Sequence, residues 1–219
     1  VNERRIADIE NVCGKGHFIS ASLDIIPNAI DLITMNYVLE HIDDVDLVLE
    51  TLFNKLSQNG LLVAIVPDLE NNPYDIVVGD HLSHYTGKTL RNQFQNFNII
   101  EVKRILQKEL IVLARKYDRQ IITTSTIDIL HSDTNLGEES IRYLLNVRSQ
   151  AQESSIEGKL FGILGTAIAG SWLSAELQNV DHFFVDENTE KAGQFHLGRV
   201  ILGPTEVPDG ATIYLPFDV

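Results

Sequence analysis

Two histidines stand in a polar stretch of the chain where they could carry out acid–base chemistry. His81 and His84 are directly flanked by Asp80 and Tyr85. The unperturbed pKa of histidine lies close to neutral, so either ring could remove a proton from a bound molecule. A structural role stays open for each histidine: its ring could anchor this segment by a hydrogen bond or pack within it. A metal site on these two rings lacks a clear third ligand, and we expect none.

A second polar group follows a short apolar run. Residues 31–36 predict a buried strand, at whose end stand Asn36, Tyr37, Glu40 and His41. In an open parallel sheet, ligands bind beyond the carboxyl ends of the strands, so these side chains are candidates for contact with a ligand. The alternative is that Glu40 and His41 cap the turn after the strand.

The spacing of apolar residues predicts the elements that position both groups. The runs 31–36 and 61–66 are bounded by turn residues, which is typical of strands buried in a parallel sheet. Residues 43–58 repeat apolar side chains at helical spacing, and Asn59-Gly60 would end that helix. Strand, helix and strand in this order form a βαβ unit.

A polar, irregular stretch comes next, over residues 68–85. Loops of this size in compact domains are usually functional or disordered. A helix is predicted over 87–96, with Thr86 as its cap. The runs 98–105 and 109–114 predict an antiparallel hairpin at the edge of the sheet.

The composition changes after residue 116, and we place a domain boundary within 117–136. A long amphipathic helix is predicted over 137–155. The strands and one helix of a small α/β unit are then predicted over residues 160–164, 171–178, 182–185, 199–202 and 212–215. We therefore expect two domains, residues 1–117 and 118–219.

Composition and charge exclude several classes of protein. The net charge of -14 would repel phosphate backbones, so we expect no nucleic-acid partner. No apolar run reaches the roughly 18–20 residues of a membrane span. The single cysteine, Cys13, cannot form an internal disulfide, which fits a cytoplasmic protein. The oligomeric state is left open.

Five segments of the first half resemble class I S-adenosylmethionine-dependent methyltransferases. Residues 31–42, DLITMNYVLEHI, are similar to that family's fourth strand and following turn. Residues 56–67 are similar to the end of its next helix, the glycine turn and the fifth strand. Residues 79–86, GDHLSHYT, look like its D-H-x-x-H-[FY]-[ST] loop. The sixth and seventh strands are matched by residues 97–101 and 110–115.

This resemblance covers about residues 17–116 and implies a partial Rossmann-like methyltransferase sheet with S-adenosylmethionine as cofactor. It implies that the cofactor contacts lie among Asn36, Tyr37, Glu40 and His41. A sulfonium methyl group is already activated, so the protein must mainly align the reactants and remove a proton.

The family's glycine-rich cofactor loop is the missing part of the resemblance. Residues 12–16, VCGKG, look like it, but only about 15 residues separate them from Asp31, too few for the strands and helices that should intervene. We therefore interpret residues 1–16 as the end of an earlier helix plus a turn, and 17–27 as the stretch before the fourth strand. The loop is then expected in a longer gene product, and the first residue is not Met.

The second half resembles the last domain of sugar C-methyltransferases, a small Rossmann-like domain. The matching segments are residues 159–170, 184–188, 191–193 and 197–201. In that family the nucleotide-sugar site lies between the two domains, and a histidine that matches His81, after Asp80, removes a proton beside a ketone. A tyrosine usual in the family three residues earlier is Val78 here, and its zinc-binding N-terminal domain has no match.

Candidate substrate-binding residues complete the expected site. They are Asp68, Asp80, Tyr85, Asp186 and Lys191. Asp186 could contact a ribose hydroxyl or cap a turn, and Lys191 could touch a diphosphate or remain solvated.

The favoured function is methyl transfer to a nucleotide-linked sugar or related saccharide, with a small molecule as the partner. One alternative is a non-catalytic, methyltransferase-like binding or scaffold protein, which the missing glycine loop favours. Another is a nicotinamide-dependent enzyme built on the second half, but residues 162–170 lack the G-x-G-x-x-G spacing.

Overall fold

The computed structural model describes most of the chain: residues 23, 26–116, 130–156 and 159–217, with only the backbone described at 130–134. The interpretations of residues 1–22, including Cys13 and the glycine segment 12–16, lie outside the described residues. The interpretation of residues 117–126 as a segment that joins the domains also lies outside the described residues. Among the described residues, no helix has both the length and the apolar character needed to cross a membrane.

The first sheet has four strands that bring the polar edge together. They are β1 (Ile30–Asn36), β2 (Leu56–Pro67), β3 (Asn98–Ile105) and β4 (Glu109–Arg115). Their spatial order is β1-β2-β4-β3, with β1 and β2 parallel and the other pairs antiparallel. The predicted hairpin therefore joins the sheet through β4, and the carboxyl ends of β1 and β2 open at one edge.

Two helices pack on this sheet. Helix α1 (Val45–Lys55) begins at Asp44, whose side chain accepts a hydrogen bond from the Leu47 N–H. Helix α2 (Gly87–Gln93) begins at Thr86, as predicted, in a reciprocal capping box with Thr89.

The prediction that Asn59-Gly60 ends the first helix is wrong. The helix ends at Lys55 and β2 follows directly, so both residues lie within the strand. Asn59 has a φ of 68°, and the pairing of β1 with β2 is irregular there. A Cβ on Gly60 would lie 2.8 Å from the Ile30 carbonyl oxygen, so the glycine permits close strand approach rather than a helix end.

The core of this unit lies along β2. Leu62, Ala64 and Val66 have no exposed surface and pack with Leu49 of α1 and Phe94 beyond α2. Burying each large apolar side chain stabilises the fold by about 1.5–3 kcal/mol. This packing fixes the sheet edge from which the polar residues emerge.

The second unit has its own sheet and its own buried core. It contains α3 (Leu130–Ser154), β5 (Phe161–Leu164), α4 (Ile168–Glu176), β6 (Phe183–Val185), β7 (Phe195–His196), β8 (Arg199–Leu202) and β9 (Thr212–Tyr214). The strand order is β7-β8-β6-β5-β9, with only the β7–β8 pair antiparallel. Two sheets that both contain parallel strand pairs, together with their helices, confirm the expected α/β fold class.

Helix α4 begins earlier than the predicted residue 171. A Cβ on Gly170 would collide with the Gly165 carbonyl oxygen, so this glycine lets the helix start close against the preceding turn. The glycines of this segment therefore serve packing as well as the turn.

An aromatic contact links the two units. The Tyr74 ring lies edge-on to Tyr143 of α3 at 6.0 Å and to Trp172 of α4 at 5.8 Å, and its hydroxyl donates to the Pro216 carbonyl. Tyr74 lies in the loop after β2, so this loop faces the second unit. The division into domains at residues 117 and 118 stays a prediction.

Candidate functional site

The carboxyl end of β1 is shaped by Tyr37. Its φ of 52° lies in the left-handed region, its N–H donates to the Ile65 carbonyl at 3.0 Å, and its hydroxyl donates to Glu109. Burial and the Glu109 carboxylate raise the pKa of Tyr37 to about 12. Asn36 and Tyr37 are both exposed, so they present polar groups at the sheet edge where cofactor contact was predicted.

Glu40 follows in a short 3₁₀ turn, Leu39–His41, and is completely buried. Neither of its carboxylate oxygens has a hydrogen-bond partner from another described residue. Burial raises the pKa of Glu40, against the lowering by its own backbone N–H and by His41 and His81. Its carbonyl oxygen accepts hydrogen bonds from the N–H groups of Leu82 and Ser83, at 2.7 and 3.2 Å. Glu40 therefore fixes the histidine loop to the end of β1.

Asp75 organises the two histidines of that loop. It is 1% exposed, and its Oδ1 lies 2.7 Å from His81 Nδ1 while its Oδ2 lies 2.6 Å from His84 Nδ1. Because a carboxylate only accepts hydrogen bonds, each ring donates from Nδ1 and keeps a lone pair on Nε2. This arrangement orients both rings as acceptors of a proton or as ligands.

His41 joins the same cluster. Its Nδ1 lies 3.0 Å from the carbonyl oxygen of Asp80, and its ring meets the His81 ring edge-on at 4.8 Å. Asp80 itself is largely exposed. The structure thus brings Glu40 and His41, predicted to contact the cofactor, against His81, which shares Asp75 with His84; both of these histidines are predicted to act as bases.

The sequence prediction missed Asp75. The residue lies in the 3₁₀ turn Pro73–Val77, six and nine residues before its two histidine partners, a spacing that no common motif marks. Its neighbours Tyr74 and Ile76 are apolar, and a carboxylate between apolar residues in a polar loop is the signal that could have indicated a buried role.

Asp68 and Tyr85 hold the loop in place. Asp68 is fully buried and forms an ion pair with Arg104, and its oxygens also accept from the Asn71 side chain and the Glu70 N–H. Tyr85 is buried, which raises its pKa to about 12, and its carbonyl accepts from the Leu69 N–H. Their assignment to substrate binding stays a prediction.

An open groove of about 530 Å³ lies beside the same loop. It runs between the loop after β2, the β3–β4 turn and helix α3. Lining residues include Tyr74, Arg104, Lys108, Ser140 and Tyr143. Arg104 is paired with Asp68 and Glu70, whereas Lys108 is exposed and has no ion-pair partner among the described residues. The groove therefore offers cationic and aromatic surface for a polar ligand.

Asp186 and Lys191 lie in the second unit and bind one another. Lys191 Nζ lies 2.9 Å from Asp186 Oδ2 and 2.8 Å from Thr166 Oγ1, and the Thr166 hydroxyl donates to the same carboxylate at 2.6 Å. Burial raises the pKa of Asp186, but these bonds and one from the Asn188 N–H outweigh it and lower the pKa to about 2. Their contact with substrate stays a prediction.

Comparisons with known proteins show similarity over part of the chain. Residues 7–100 match the family model of a methyltransferase domain. Comparison with curated proteins found no match.

Two of the similar solved structures are bacterial. A Burkholderia thailandensis 1,6-didemethyltoxoflavin-N1-methyltransferase, with its substrate and S-adenosylhomocysteine bound, is 17% identical with a TM-score of 0.43. That alignment covers 54% of this chain and 59% of the other. An S-adenosylmethionine-dependent methyltransferase from Mesorhizobium loti is 17% identical with a TM-score of 0.42, over 52% of this chain and 76% of the other.

The finer resemblance to sugar C-methyltransferases stays a prediction. Residues 7–100, less than half of the chain, are therefore similar to a methyltransferase domain.

Proposed function

We propose that this protein transfers a methyl group from S-adenosylmethionine to a nucleotide-linked sugar or related saccharide. The observation that carries the proposal is the buried Asp75 carboxylate, which holds His81 and His84 by their Nδ1 atoms. The pair lies against Glu40 at the carboxyl end of β1, the edge where ligands of parallel sheets bind.

The described residues fit one wall of a cofactor site. Asn36 and Tyr37 are exposed at the end of β1, and the chain leaves the strand through the left-handed backbone conformation of Tyr37. They and the Glu40–His41 turn are the residues proposed to hold the cofactor. When bound, the cofactor supplies a methyl group already activated by its sulfonium.

The chain's own contribution is to position the acceptor and to take its proton. Asp75 fixes the His81 tautomer that has a free Nε2, and its negative charge stabilises the imidazolium formed on protonation. The resemblance assigns the proton transfer to His81, and His84 is held in the same way.

The groove beside the loop supports the acceptor class. Saccharides have apolar faces that pack on aromatic rings, which the half-buried Tyr143 supplies, and a diphosphate would be attracted by Lys108. The remaining surface charge is strongly negative, which favours a small acceptor over a nucleic acid, and we propose a cytoplasmic location.

Isothermal titration with S-adenosylhomocysteine tests the proposal, on this chain and on the full-length product of its gene. We expect binding to the full-length protein, followed by transfer of labelled methyl groups to members of a nucleotide-sugar panel. Binding to this chain as well would place a working cofactor loop within residues 1–22. Binding to neither protein would favour the non-catalytic alternative, a methyltransferase-like binding protein.

A further inference from the structure

We infer that Glu40, His41 and His81 bind a divalent transition-metal cation at this edge of the sheet. Each residue offers one ligand atom, and these atoms lie within 4.8 Å of one another. The sequence offered no third ligand for a histidine site, because Glu40 and His41 are about forty residues from His81 and meet it only in the fold.

The unpartnered carboxylate of Glu40 is the first argument. The side chain is fully buried, and neither oxygen accepts a hydrogen bond from another described residue. A buried, charged carboxylate without a partner costs several kcal/mol, and native structures avoid this by protonating it, by pairing it or by using it as a metal ligand. His41 and His81 are its neighbours, and a cation shared by all three would supply the missing partner.

The orientation of the two rings is the second, independent argument. Metal-binding histidines usually donate their other ring N–H to a carboxylate or a backbone carbonyl. His81 does so to the Asp75 carboxylate at 2.7 Å, and His41 Nδ1 lies 3.0 Å from the Asp80 carbonyl oxygen. Both Nε2 atoms therefore keep the lone pair that a metal ligand needs.

The donor set selects the class of cation. Two imidazoles and one carboxylate suit Zn²⁺, Co²⁺ or Mn²⁺ and leave coordination positions open for a bound oxygen. Metal–ligand distances of about 2.1 Å require the ligand atoms to approach to about 3.4 Å. His41 can make this adjustment, because its side chain is 38% exposed whereas Glu40 and His81 are held by their surroundings.

A second group, Asp75 with His81 and His84, is less suited to a cation. Both Asp75 oxygens already accept hydrogen bonds from the Nδ1 atoms of the two rings. A cation bound there would displace two protons and two short hydrogen bonds. The Glu40 group offers free lone pairs instead.

The cation would deepen the proposed function, on which this role rests. An open coordination position can take an oxygen of the acceptor, either a hydroxyl or a ketone. The positive charge then lowers the pKa of that hydroxyl, or of a C–H beside that ketone. If Nε2 of His81 holds the cation, that ring cannot also take the proton. His84, the remaining imidazole on Asp75, then replaces His81 as the base, and the released proton passes to its Nε2.

Titration of the metal-free protein with Zn²⁺ and Co²⁺ tests the site without any assay of turnover. We expect one equivalent to bind and the Co²⁺ complex to show visible absorption bands. Glu40→Gln and His41→Asn should each weaken binding at least tenfold, by the loss of one ligand. His196→Asn, which changes a histidine of the second sheet, and His84→Ala should leave the affinity within about threefold.

Two outcomes would overturn the inference: absence of stoichiometric binding, or unchanged affinity in Glu40→Gln. Loss of binding in His84→Ala with retention in Glu40→Gln would also overturn it and assign the cation to the Asp75 group. These results are separate from the proposed function, because methyl transfer that persists in chelator-treated protein would remove the cation's role and leave the methyltransferase assignment standing.

Discussion

Asp75 and His84 are nine residues apart in the chain, and their side chains meet through a hydrogen bond of 2.6 Å between Oδ2 and Nδ1. The other oxygen of the same carboxylate binds His81. One buried residue thereby sets the tautomers of two rings, and this defines what substitutions in the loop should do.

Replacement of Asp75 by Asn tests this pairing directly. The amide has only one accepting atom, so one ring must lose its acceptor and the tautomer that keeps Nε2 free. We expect methyl transfer to fall by about 10²–10⁴-fold, the usual contribution of a general base, with affinity for S-adenosylhomocysteine within a few-fold. Asp43→Asn, an exposed neighbour of the site in sequence, is the control. Unchanged turnover in Asp75→Asn would remove the pairing from the mechanism.

His81→Ala should abolish methyl transfer while the affinity for S-adenosylhomocysteine changes only a few-fold. The reason is that His81 is the residue proposed to act on the acceptor or its cation, whereas the predicted cofactor contacts are Asn36, Tyr37, Glu40 and His41. Paired turnover assays and calorimetric titrations measure both quantities. Normal turnover in this variant would contradict the assignment of His81.

Arg104→Met should destabilise the protein by about 1–3 kcal/mol, because it leaves the buried Asp68 carboxylate without its ion-pair partner. The figure is below that of a fully buried pair, since the Arg104 side chain is 43% exposed and solvent screens it. Urea unfolding measures the change in the free energy of unfolding. Arg142→Ala, which removes an exposed pair with Glu138, should change it by less than about 0.5 kcal/mol. Equal effects of the two substitutions would show that the Asp68–Arg104 ion pair stabilises the fold no more than an exposed ion pair does.

Lys108→Ala should weaken binding of a nucleoside diphosphate or nucleotide sugar and reduce the dependence of that binding on salt. Lys108 is the exposed cation of the groove, whereas Arg104 is already engaged with two carboxylates. Titrations at low and high ionic strength measure the effect, and Lys103→Ala, which removes a cation paired with Glu101, is the matched control. The groove would lose its proposed role if the two variants bound equally well.

The stability of the second unit should depend on pH through Asp186. Its pKa is lowered from 3.8 to about 2, so the folded state binds its proton only at lower pH than the unfolded state. The stabilisation, about 2 kcal/mol, is therefore fully present above about pH 5 and is lost as the pH falls toward 2. Unfolding experiments between pH 6 and pH 2 should show this loss in the wild type and not in Asp186→Asn. Asp181→Asn, at an exposed carboxylate, should keep the wild-type pH dependence.

Local chemistry explains which elements were predictable. Residues 31–36 and 61–66 are apolar runs between turn residues, and both lie in strands. The first was predicted to be buried, but β1 is at the edge of the described sheet and only its Met35 is buried. Thr86 caps its helix because the hydroxyl of threonine accepts from a backbone N–H three residues later, a purely local interaction. Asn59-Gly60 misled the prediction because the same left-handed conformation that ends helices also occurs where strands pair irregularly.

The sequence by itself determined the α/β class, the polar ends of the strands and the histidines as the residues able to exchange protons. Only the tertiary structure decided that Asp75 holds both rings and that Glu40 lies buried beside His41 and His81. Such contacts depend on the parallel pairing of β1 with β2 and on the path of the loop after β2, which bring together residues far apart in the chain. Local spacing does not encode that convergence, because burial of a carboxylate depends on the core packed around it.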